Sequence, residues 1–202
     1  MGYLAVLWLS YALGCSNMAL YLSKRKQVDL RAGGSKNLGA SNALILMGWK
    51  AGVLTALHDI GKAALAVLLA RLFFGDLPNI GAVAGVAAVL GHIFPFPLRF
   101  RGGKGFAAYV GMTLALNWRF ALVVIAVIVA VTLITDYIVA GTTATVLMVP
   151  SYLGWTDRNP LLFCILLIAT VVILFKHREN YRRMLAGTEF RFRAALQKKL
   201  SD

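Results

Sequence analysis

The sequence predicts an all-α integral membrane protein with seven transmembrane helices, organised as a single domain over residues 1–202. Its 202 residues are 59% hydrophobic and only 14% charged, and the mean hydropathy is +0.74. Soluble domains carry roughly 45–50% apolar and about 25% charged residues. Apolar segments near the length of about 20 residues that crosses a bilayer alternate with short polar segments, which indicates repeated crossings.

Seven apolar segments are the predicted spans, and they cover residues 2–22, 49–74, 79–98, 105–117, 119–135, 137–154 and 160–176. The fourth segment is short, and one helix over residues 105–135 would reduce the count to six. Asn117 and Arg119 lie near the middle of that stretch and argue against one helix. The N-terminal segment lacks a basic region and a convincing cleavage site, so we expect it to remain as the first span.

Positive charge is concentrated in three connections. The formal net charge is +13, and sixteen of the 21 lysines and arginines lie in residues 23–48, in residues 94–105 or in the tail from Lys176. In a seven-span chain these segments share one side, so the positive-inside rule predicts that they are cytoplasmic and that the N-terminus is outside. Because the cations alternate with apolar spans, we expect a lipid bilayer and anionic ligands as partners, and no nucleic acid.

Residues 94–105, the glycine–lysine loop, interrupt two apolar segments with two prolines, three cations and three glycines. Aromatic residues and arginines at the end of a span are typical interfacial anchors, but anchoring does not explain Gly102, Gly103 and Lys104. Glycines allow backbone N–H groups to turn toward an anion, over which a lysine ammonium closes. We therefore predict a phosphate-binding loop, although the Walker A pattern is absent.

Residues 33–42, the first loop, read Gly-Gly-Ser-Lys-Asn-Leu-Gly-Ala-Ser-Asn. Small residues give this loop a flexible backbone, and its hydroxyl and amide side chains are hydrogen-bond donors. The alternative interpretation is an ordinary polar turn on the cytoplasmic side. The second glycine-rich basic segment on the same side favours ligand binding.

The segment that follows the last span contains His177 and Asn180. If it is helical, these side chains share one face and are placed to contact hydroxyl groups of a ligand. The alternative is a basic anchor beside the membrane, which fits Arg182 and Arg183 but does not require a histidine or an asparagine. The tail over residues 177–202 is predicted to form an amphipathic helix on the inner membrane surface.

Within the second span, Asp59 and Lys62 are three residues apart and can neutralise each other. A structural ion pair and a functional role both remain open for these intramembrane charges. We expect His92 to bond to backbone rather than to act as a base. The three histidines lack metal-ligand spacing, so no metal site is predicted. Cys15 and Cys164 lie in apolar spans and are interpreted as packing residues without a disulfide.

In order and spacing, three segments within residues 14–189 resemble the bacterial membrane acyl-phosphate:glycerol-3-phosphate acyltransferases, the PlsY family. The residues that carry the resemblance are Asp29-Leu30-Arg31-x-x-Gly34-Ser35-x-Asn37-x-Gly39-Ala40-Ser41-Asn42, then Gly91-His92-x-Phe94-Pro95 through Phe100-x-Gly102-Gly103-Lys104-Gly105, and last His177-Arg178-x-Asn180 through Arg183-x-Leu185-x-Gly187-Thr188-Glu189. Asp59-Ile60-Gly61-Lys62 is similar to a further family element.

The resemblance implies an enzyme of the bacterial plasma membrane whose active site faces the cytoplasm. It would transfer a fatty acyl group from acyl phosphate to the 1-hydroxyl of glycerol 3-phosphate, giving lysophosphatidate and phosphate, without a cofactor. The family lacks the His-x4-Asp motif of other acyltransferases, and this chain lacks it too. Acyl phosphate is already activated, so positioning and charge stabilisation would supply most of the catalysis.

The resemblance also implies roles for individual residues. The catalytic group would comprise Lys104, His177 and Ser35, with the departing phosphate or His177 as the base. Acyl phosphate would be bound by Gly102, Gly103, Lys104, Gly39 and Asn42. Glycerol 3-phosphate would be bound by Ser35, Lys36, Asn37, Thr142, His177 and Asn180. Supporting roles would fall to Asp59, Lys62 and Glu189.

Several positions depart from the family pattern, most of them on the acceptor side. Lys36 stands in place of a glycine, and Ile45 stands in place of an arginine that the family uses on glycerol 3-phosphate. Further departures are Leu38 for proline, Ser41 for threonine, Asn17 for proline, Asp136 for arginine and Val139 for serine. Of these, the change to Ser41 is mild because it keeps a hydroxyl. Either Lys36 replaces the lost arginine and the reaction is unchanged, or the chain acylates another acceptor. A non-catalytic membrane partner and an anion transporter are the remaining alternatives.

Overall fold

The structure is a computed structural model that describes residues 1–193. These residues form helices joined by turns and contain no β-strand. A 3-10 turn at Phe96–Leu98 follows the fifth helix. The α-helices are α1 (Gly2–Gly14), α2 (Met18–Lys26), α3 (Ala40–Met47), α4 (Trp49–Phe74), α5 (Ile80–Ile93), α6 (Phe106–Leu116), α7 (Trp118–Thr135), α8 (Ile138–Thr156), α9 (Pro160–Lys176) and α10 (Arg178–Leu185).

Five stretches of the described chain are long and apolar enough to cross a membrane: Gly2–Lys26, Trp49–Phe74, Ile80–Leu98, Trp118–Thr135 and Ile138–Thr156. Helices α9 and α10 meet the same criterion together across a bend of 46°, which raises the number to six. Helix α6 is apolar but has only 11 residues, and it extends only roughly 16 Å. A seventh crossing therefore depends on α6.

The helices follow the predicted spans with one correction. The first span, predicted as one segment over residues 2–22, is broken between α1 and α2. Asn17 at the break adopts an extended backbone and caps α2, because its Oδ1 accepts from the backbone N–H of Leu20 at 2.8 Å. The single helix considered over residues 105–135 is absent, since Asn117 leaves the helical conformation between α6 and α7.

The packing divides the chain after Trp118 into a first unit, Met1–Trp118, and a second unit that begins at Arg119. In the first unit, glycines allow helix backbones to approach closely. A side chain at Gly14 would overlap the Ala88 backbone, and one at Gly91 would overlap the Tyr11 carbonyl. Glycine at these positions therefore fixes the crossing of α1 and α5.

In the second unit, hydroxyl groups join neighbouring helices. Thr170 of α9 donates to the Val146 carbonyl of α8 at 2.9 Å. Tyr181 of α10 lies 2.8 Å from the hydroxyl oxygen of Thr143. Cys164, interpreted from the sequence as a packing residue, is instead exposed on α9, whereas Cys15 of the first unit is buried, and both are free thiols.

The predicted continuous helix over the tail is wrong in its first half. Helix α10 ends at Leu185, and Gly187 adopts a left-handed φ of 69°. Beyond this turn the backbone N–H of Arg193 donates to Asp136 Oδ1 at 2.8 Å, and the Arg193 guanidinium donates to the Leu133 carbonyl at 2.6 Å. These bonds attach the segment to the end of α7. The rest of the predicted tail helix, residues 194–202, lies outside the described residues.

Candidate active site

The glycine–lysine loop folds back onto the end of α5. The backbone N–H of Gly102 donates to the Ile93 carbonyl, and that of Gly103 donates to the His92 carbonyl, each at 3.1 Å. The last carbonyls of a helix have no partner within the helix, and the loop supplies donors for two of them. The prediction that these two N–H groups turn toward an anion is therefore wrong in this structure, because both are already bonded.

The two glycines instead permit close packing. A side chain at Gly102 would overlap the His92 carbonyl oxygen and the ring of Pro95, and a side chain at Gly103 would overlap the His92 imidazole. The half-buried Lys104 follows directly. Gly105 then takes a left-handed φ of 93° and caps α6, so the lysine stands beside a helix N-terminus, which favours negative charge.

Asn42 organises the first loop. Its side chain is 1% exposed, its Oδ1 accepts from the Ser35 backbone N–H at 2.8 Å, and its Nδ2 donates to the Leu30 carbonyl at 2.8 Å. Both ends of the amide are therefore occupied by loop backbone. The direct contact with acyl phosphate expected for Asn42 is not available in this arrangement, and the residue shapes the loop instead.

The other predicted residues of the first loop lie around this amide. Gly39 caps α3, and Ser35 and Asn37 are half-buried. Lys36 is exposed, and it adopts a left-handed φ of 55°, which is unfavourable for a residue with a side chain. Ile45 is 46% exposed on α3, so an aliphatic group projects from the helix that Gly39 caps.

Two side chains without a predicted role fix these loops to neighbouring parts of the first unit. The Arg31 guanidinium donates to the Arg101 carbonyl of the glycine–lysine loop at 3.2 Å. The Asn17 amide donates to the Leu38 carbonyl of the first loop at 3.2 Å. An asparagine such as Asn17 between two helical stretches is a recognisable signal of a helix start. The long-range partners of Asn17 and Arg31, however, cannot be predicted from the sequence.

The ion pair expected between Asp59 and Lys62 is present, with Lys62 Nζ 2.9 Å from Asp59 Oδ1. Both side chains are almost fully buried, and the Lys62 ammonium also donates to the Ser16 carbonyl at 2.6 Å. His58 lies beside the pair, with its Nδ1 3.5 Å from Asp59 Oδ1 and its Nε2 3.3 Å from the Ser16 hydroxyl. The pair thus fastens α4 to the break between α1 and α2.

His92 completes this buried cluster. Its Nδ1 is 3.0 Å from Lys62 Nζ and 3.2 Å from Asp59 Oδ1, and the residue is 3% exposed. The prediction that its ring bonds to backbone is wrong, because its partners are the buried charges of α4. His92 therefore connects those charges to the glycine–lysine loop, which packs against the other side of its ring.

In the second unit, the structure places His177 and Asn180 at the bend between α9 and α10. The Asn180 backbone N–H donates to the His177 carbonyl at 2.8 Å, and His177 Nδ1 donates to the Ile173 carbonyl at 2.8 Å. Because a carbonyl only accepts, the neutral ring carries its acceptor nitrogen at Nε2. Thr142, the remaining predicted residue of this unit, is 2% exposed on α8.

Glu189 holds the same turn. Its Oε1 accepts from the Asn180 amide at 2.7 Å, and its Oε2 pairs with Arg183 Nε at 2.7 Å. The Glu189 side chain is 10% exposed and the Arg183 side chain 39% exposed. The carboxylate therefore orients Asn180. The family resemblance implied a supporting role for Glu189 but did not identify these partners.

Comparisons with known proteins cover nearly the whole chain. Residues 4–187 match the family described as Glycerol-3-phosphate acyltransferase. A Pseudomonas putida (strain W619) protein named Glycerol-3-phosphate acyltransferase is 42% identical over 190 residues, which cover 91% of this chain and 96% of the relative. A protein of the same name from Geobacter sulfurreducens is 38% identical over 186 residues, 92% of this chain and 95% of the relative.

Solved structures give the same result. A crystal structure of PlsY (YgiH), described as an integral membrane glycerol 3-phosphate acyltransferase in its glycerol 3-phosphate form, superposes with a TM-score of 0.88 at 30% sequence identity. The match covers 95% of this chain and 96% of that chain. The lysophosphatidic acid form of PlsY superposes with a TM-score of 0.86 at the same identity and coverage.

Proposed function

The chain belongs to the glycerol-3-phosphate acyltransferase family and is an all-helical integral membrane protein, and we propose from this that it transfers a fatty acyl group from acyl phosphate to the 1-hydroxyl of glycerol 3-phosphate. The products are lysophosphatidate, an early intermediate in phospholipid synthesis, and inorganic phosphate. The observation that carries the proposal is the similarity over 95% of the chain to the glycerol 3-phosphate form of PlsY.

The chemistry requires no enzyme nucleophile. The glycerol hydroxyl attacks the carbonyl carbon of acyl phosphate, the new C–O ester bond forms, and the bond from that carbon to the phosphate oxygen breaks. The hydroxyl proton passes to the departing phosphate or to Nε2 of His177, whose Nδ1 is held by the Ile173 carbonyl. Negative charge develops on the carbonyl and phosphate oxygens, so fixed cationic and N–H groups lower the barrier.

In the first unit, Lys104 is proposed to bind the phosphate of acyl phosphate. Its half-buried position beside the N-terminus of α6 supports this role, because cation and helix dipole favour the same anion. Gly102 and Gly103 contribute by letting the loop approach α5, and Asn42 contributes by shaping the first loop. Within that loop, the hydroxyl of Ser35, the amide of Asn37 and the ammonium of Lys36 are proposed to donate hydrogen bonds to glycerol 3-phosphate. Gly39 is proposed to bind acyl phosphate.

In the second unit, His177, Asn180 and Thr142 are proposed to contact glycerol 3-phosphate. Support comes from the turn after α9, where Glu189 fixes the orientation of the Asn180 amide. An amide group both donates to and accepts from hydroxyl groups, which suits a contact with the hydroxyls of glycerol 3-phosphate.

We also propose seven membrane crossings with the N-terminus outside and the loops at residues 23–48 and 94–105 in the cytoplasm of a bacterium, at its inner membrane. The distribution of lysines and arginines supports this orientation. Helix α6 supplies the short crossing. Acyl phosphate then reaches the loops with its chain in the bilayer and its phosphate at the surface.

The identity of the acyl acceptor is the part of the proposal most affected by the positions that differ from the family pattern, above all Lys36 and Ile45. Lys36 is proposed to supply the cation that Ile45 does not, as a point charge without the bidentate fork of arginine. The alternative, another phosphorylated or plain alcohol, is favoured by the exposed aliphatic side chain of Ile45.

An assay with purified protein tests the donor and the acceptor separately. Acyl phosphate, acyl-CoA and acyl carrier protein are supplied in parallel with labelled glycerol 3-phosphate, and lysophosphatidate is measured. The proposal expects product from acyl phosphate alone. Product from acyl-CoA at a comparable rate would contradict the donor assignment. Absence of product from glycerol 3-phosphate, with product from another alcohol in an acceptor panel, would contradict the acceptor assignment.

A further inference from the structure

We propose that a cavity between α8 and α9 binds an anionic phospholipid, at the end of α9 opposite to His177. The phosphate of this lipid contacts the Arg158 guanidinium, and its acyl chain lies against Trp155 and Phe163. The site is separate from the residues assigned to acyl transfer, so it does not depend on the proposed function. Three features of the second unit support it: the position of the cavity, its lining and the turn that presents Arg158.

The cavity lies where α8 ends and α9 begins. It has a volume of about 760 Å³ and is lined by Ser151, Gly154, Trp155, Arg158, Pro160 and Phe163. Helix α9 has 17 residues and extends about 25 Å, close to the thickness of the hydrocarbon core of a bilayer. His177 follows the other end of this helix. The cavity and His177 therefore lie near opposite faces of the membrane.

The lining of the cavity combines a cation at the turn with apolar groups along the helices. Arg158 lies between α8 and α9, whereas Phe163 lies one turn into α9. Trp155 is 86% exposed near the end of α8, the level at which tryptophan is enriched in membrane proteins. The Ser151 hydroxyl already donates to the Leu147 carbonyl at 3.0 Å. A small soluble anion would meet mostly apolar walls here, whereas a phospholipid matches both the cation and the apolar groups.

The turn that presents Arg158 keeps a side chain where glycine is usual. The Arg158 backbone N–H donates to the Trp155 carbonyl at 3.1 Å, and the Asn159 backbone N–H donates to the Gly154 carbonyl at 3.0 Å. These bonds form a helix C-terminal cap that places one residue in the left-handed region. Arg158 is that residue, with a φ of 46°, which is unfavourable for a residue with a side chain. An arginine at such a position points to a function for its guanidinium.

The Arg158 guanidinium is available to a ligand. Within residues 1–193 it makes no hydrogen bond or ion pair, although Asp157 precedes it. Arginine binds phosphate through two parallel hydrogen bonds, and the phosphates of lipids lie at the membrane surface, where this turn is placed. A zwitterionic lipid carries its own cation beside the phosphate, so a lipid with a net negative charge is favoured.

Quenching of tryptophan fluorescence by brominated lipids tests the proposal at the cavity itself. Wild-type protein is reconstituted in vesicles of equal amounts of phosphatidylglycerol and phosphatidylcholine, with bromine on the acyl chains of one lipid or the other. The difference between wild type and Trp155→Phe gives the quenching of Trp155. We expect phosphatidylglycerol to be preferred beside Trp155 about fivefold, the contribution of one cation near anionic lipid. Equal quenching by the two brominated lipids would overturn the proposal.

Arg158→Gln and Arg158→Lys form a matched pair, because both keep a side chain at the left-handed position. The glutamine variant should lose the preference for phosphatidylglycerol, and the lysine variant should keep most of it. Arg25→Gln, at an exposed position of α2, removes the same charge elsewhere and should leave the preference at Trp155 unchanged. A preference that survives Arg158→Gln, or that Arg25→Gln removes equally, would refute the contact with Arg158.

Two further measurements separate lipid binding from a structural arginine and from a free anion. Arg158→Gly should lose the lipid preference and raise the melting temperature in detergent, because glycine suits the left-handed position. Loss of the preference with a lower melting temperature would indicate a structural role and overturn the proposal. Inorganic phosphate, compared with chloride at equal ionic strength, should leave the quenching unchanged. If phosphate removed the preference, the occupant would be a free anion and the lipid would be refuted.

Discussion

Asn42 and Ser35 are joined by a hydrogen bond of 2.8 Å from the Ser35 backbone N–H to the Asn42 side-chain oxygen. The nitrogen of the same amide donates to the Leu30 carbonyl. One buried side chain therefore sets the conformation on both sides of the turn that presents Ser35. The hydroxyl proposed to contact glycerol 3-phosphate is positioned from a helix seven residues further along the chain.

Asn42→Asp is expected to destabilise the protein by about 2–3 kcal/mol, because it removes the donor to Leu30 and buries a charge without a cation. The KM for glycerol 3-phosphate should rise as Ser35 loses its position. Thermal unfolding in detergent and steady-state kinetics measure the two effects. Ser41→Ala, at an exposed position of the same helix, is the control and should unfold within about 0.5 kcal/mol of wild type. If Asn42→Asp were as stable as wild type, the role of the Asn42 amide in holding the first loop would be refuted.

Gly103→Ala is expected to abolish most of the activity, because the added methyl group meets the His92 ring and the loop must move away from α5. The KM for acyl phosphate should rise at least tenfold. The matched control is Gly61→Ala in α4, where a side chain meets nothing within 4 Å. Because alanine favours a helix over glycine by about 1 kcal/mol, this control should be active and slightly more stable. Equal losses in both variants would refute the packing role of Gly103.

Lys36→Gly separates backbone strain from charge. Lysine at the left-handed φ of 55° costs about 1 kcal/mol relative to glycine, so Lys36→Gly should raise the melting temperature, whereas Lys36→Ala should not. If Lys36 supplies the missing cation, both variants raise the KM for glycerol 3-phosphate about tenfold, since each loses a charge-assisted contact. Ile45→Arg introduced into Lys36→Gly should restore the KM. An unchanged KM in both lysine variants would show that Lys36 does not bind the acceptor.

Much of this fold is readable from local composition, and α4 shows why. The predicted span at residues 49–74 and the helix Trp49–Phe74 have the same bounds, because a long apolar stretch ends at polar residues or glycine on both sides. The break in the first span was missed, since only Ser16 and Asn17 interrupt the apolar stretch and the break depends on Asn17 capping α2. Hydropathy averaged over 20 residues does not register one capping residue.

The site was predictable as a set of segments but not in its bonding. The spacing of Asp59 and Lys62 predicted their ion pair, which α4 alone brings about. Glycines in the loop signalled an unusual backbone, but the direction of their N–H groups depends on carbonyls at the end of α5. His92 meets Lys62 thirty residues away in sequence, and only the packing of α4 against α5 establishes that contact.

Asp59 and Lys62 should show strong coupling in a double-mutant cycle. Asp59→Asn alone leaves the Lys62 ammonium buried beside a neutral amide, and Lys62→Met alone leaves a buried carboxylate. Each single change is expected to destabilise the protein by about 3–5 kcal/mol, whereas the double variant should lose less than the sum, because no unpaired charge remains. Thermal unfolding of the four proteins measures the coupling. Additive losses would mean that the two charges do not interact.

Glu189→Gln tests whether the Glu189 carboxylate orients Asn180, and Glu179→Gln on α10 is the matched control. Glutamine has one acceptor oxygen where the carboxylate has two, so it cannot accept from both Asn180 and Arg183. We expect a loss of about 1 kcal/mol, reduced by the 39% exposure of the Arg183 side chain. The KM for glycerol 3-phosphate should rise severalfold as Asn180 loses its orientation. Glu179→Gln removes the pair between Glu179 and Arg182, whose side chains are 52% and 74% exposed, and it should change neither stability nor KM. If both glutamine variants had the same stability and the same KM for glycerol 3-phosphate, Glu189 would have no role in orienting Asn180.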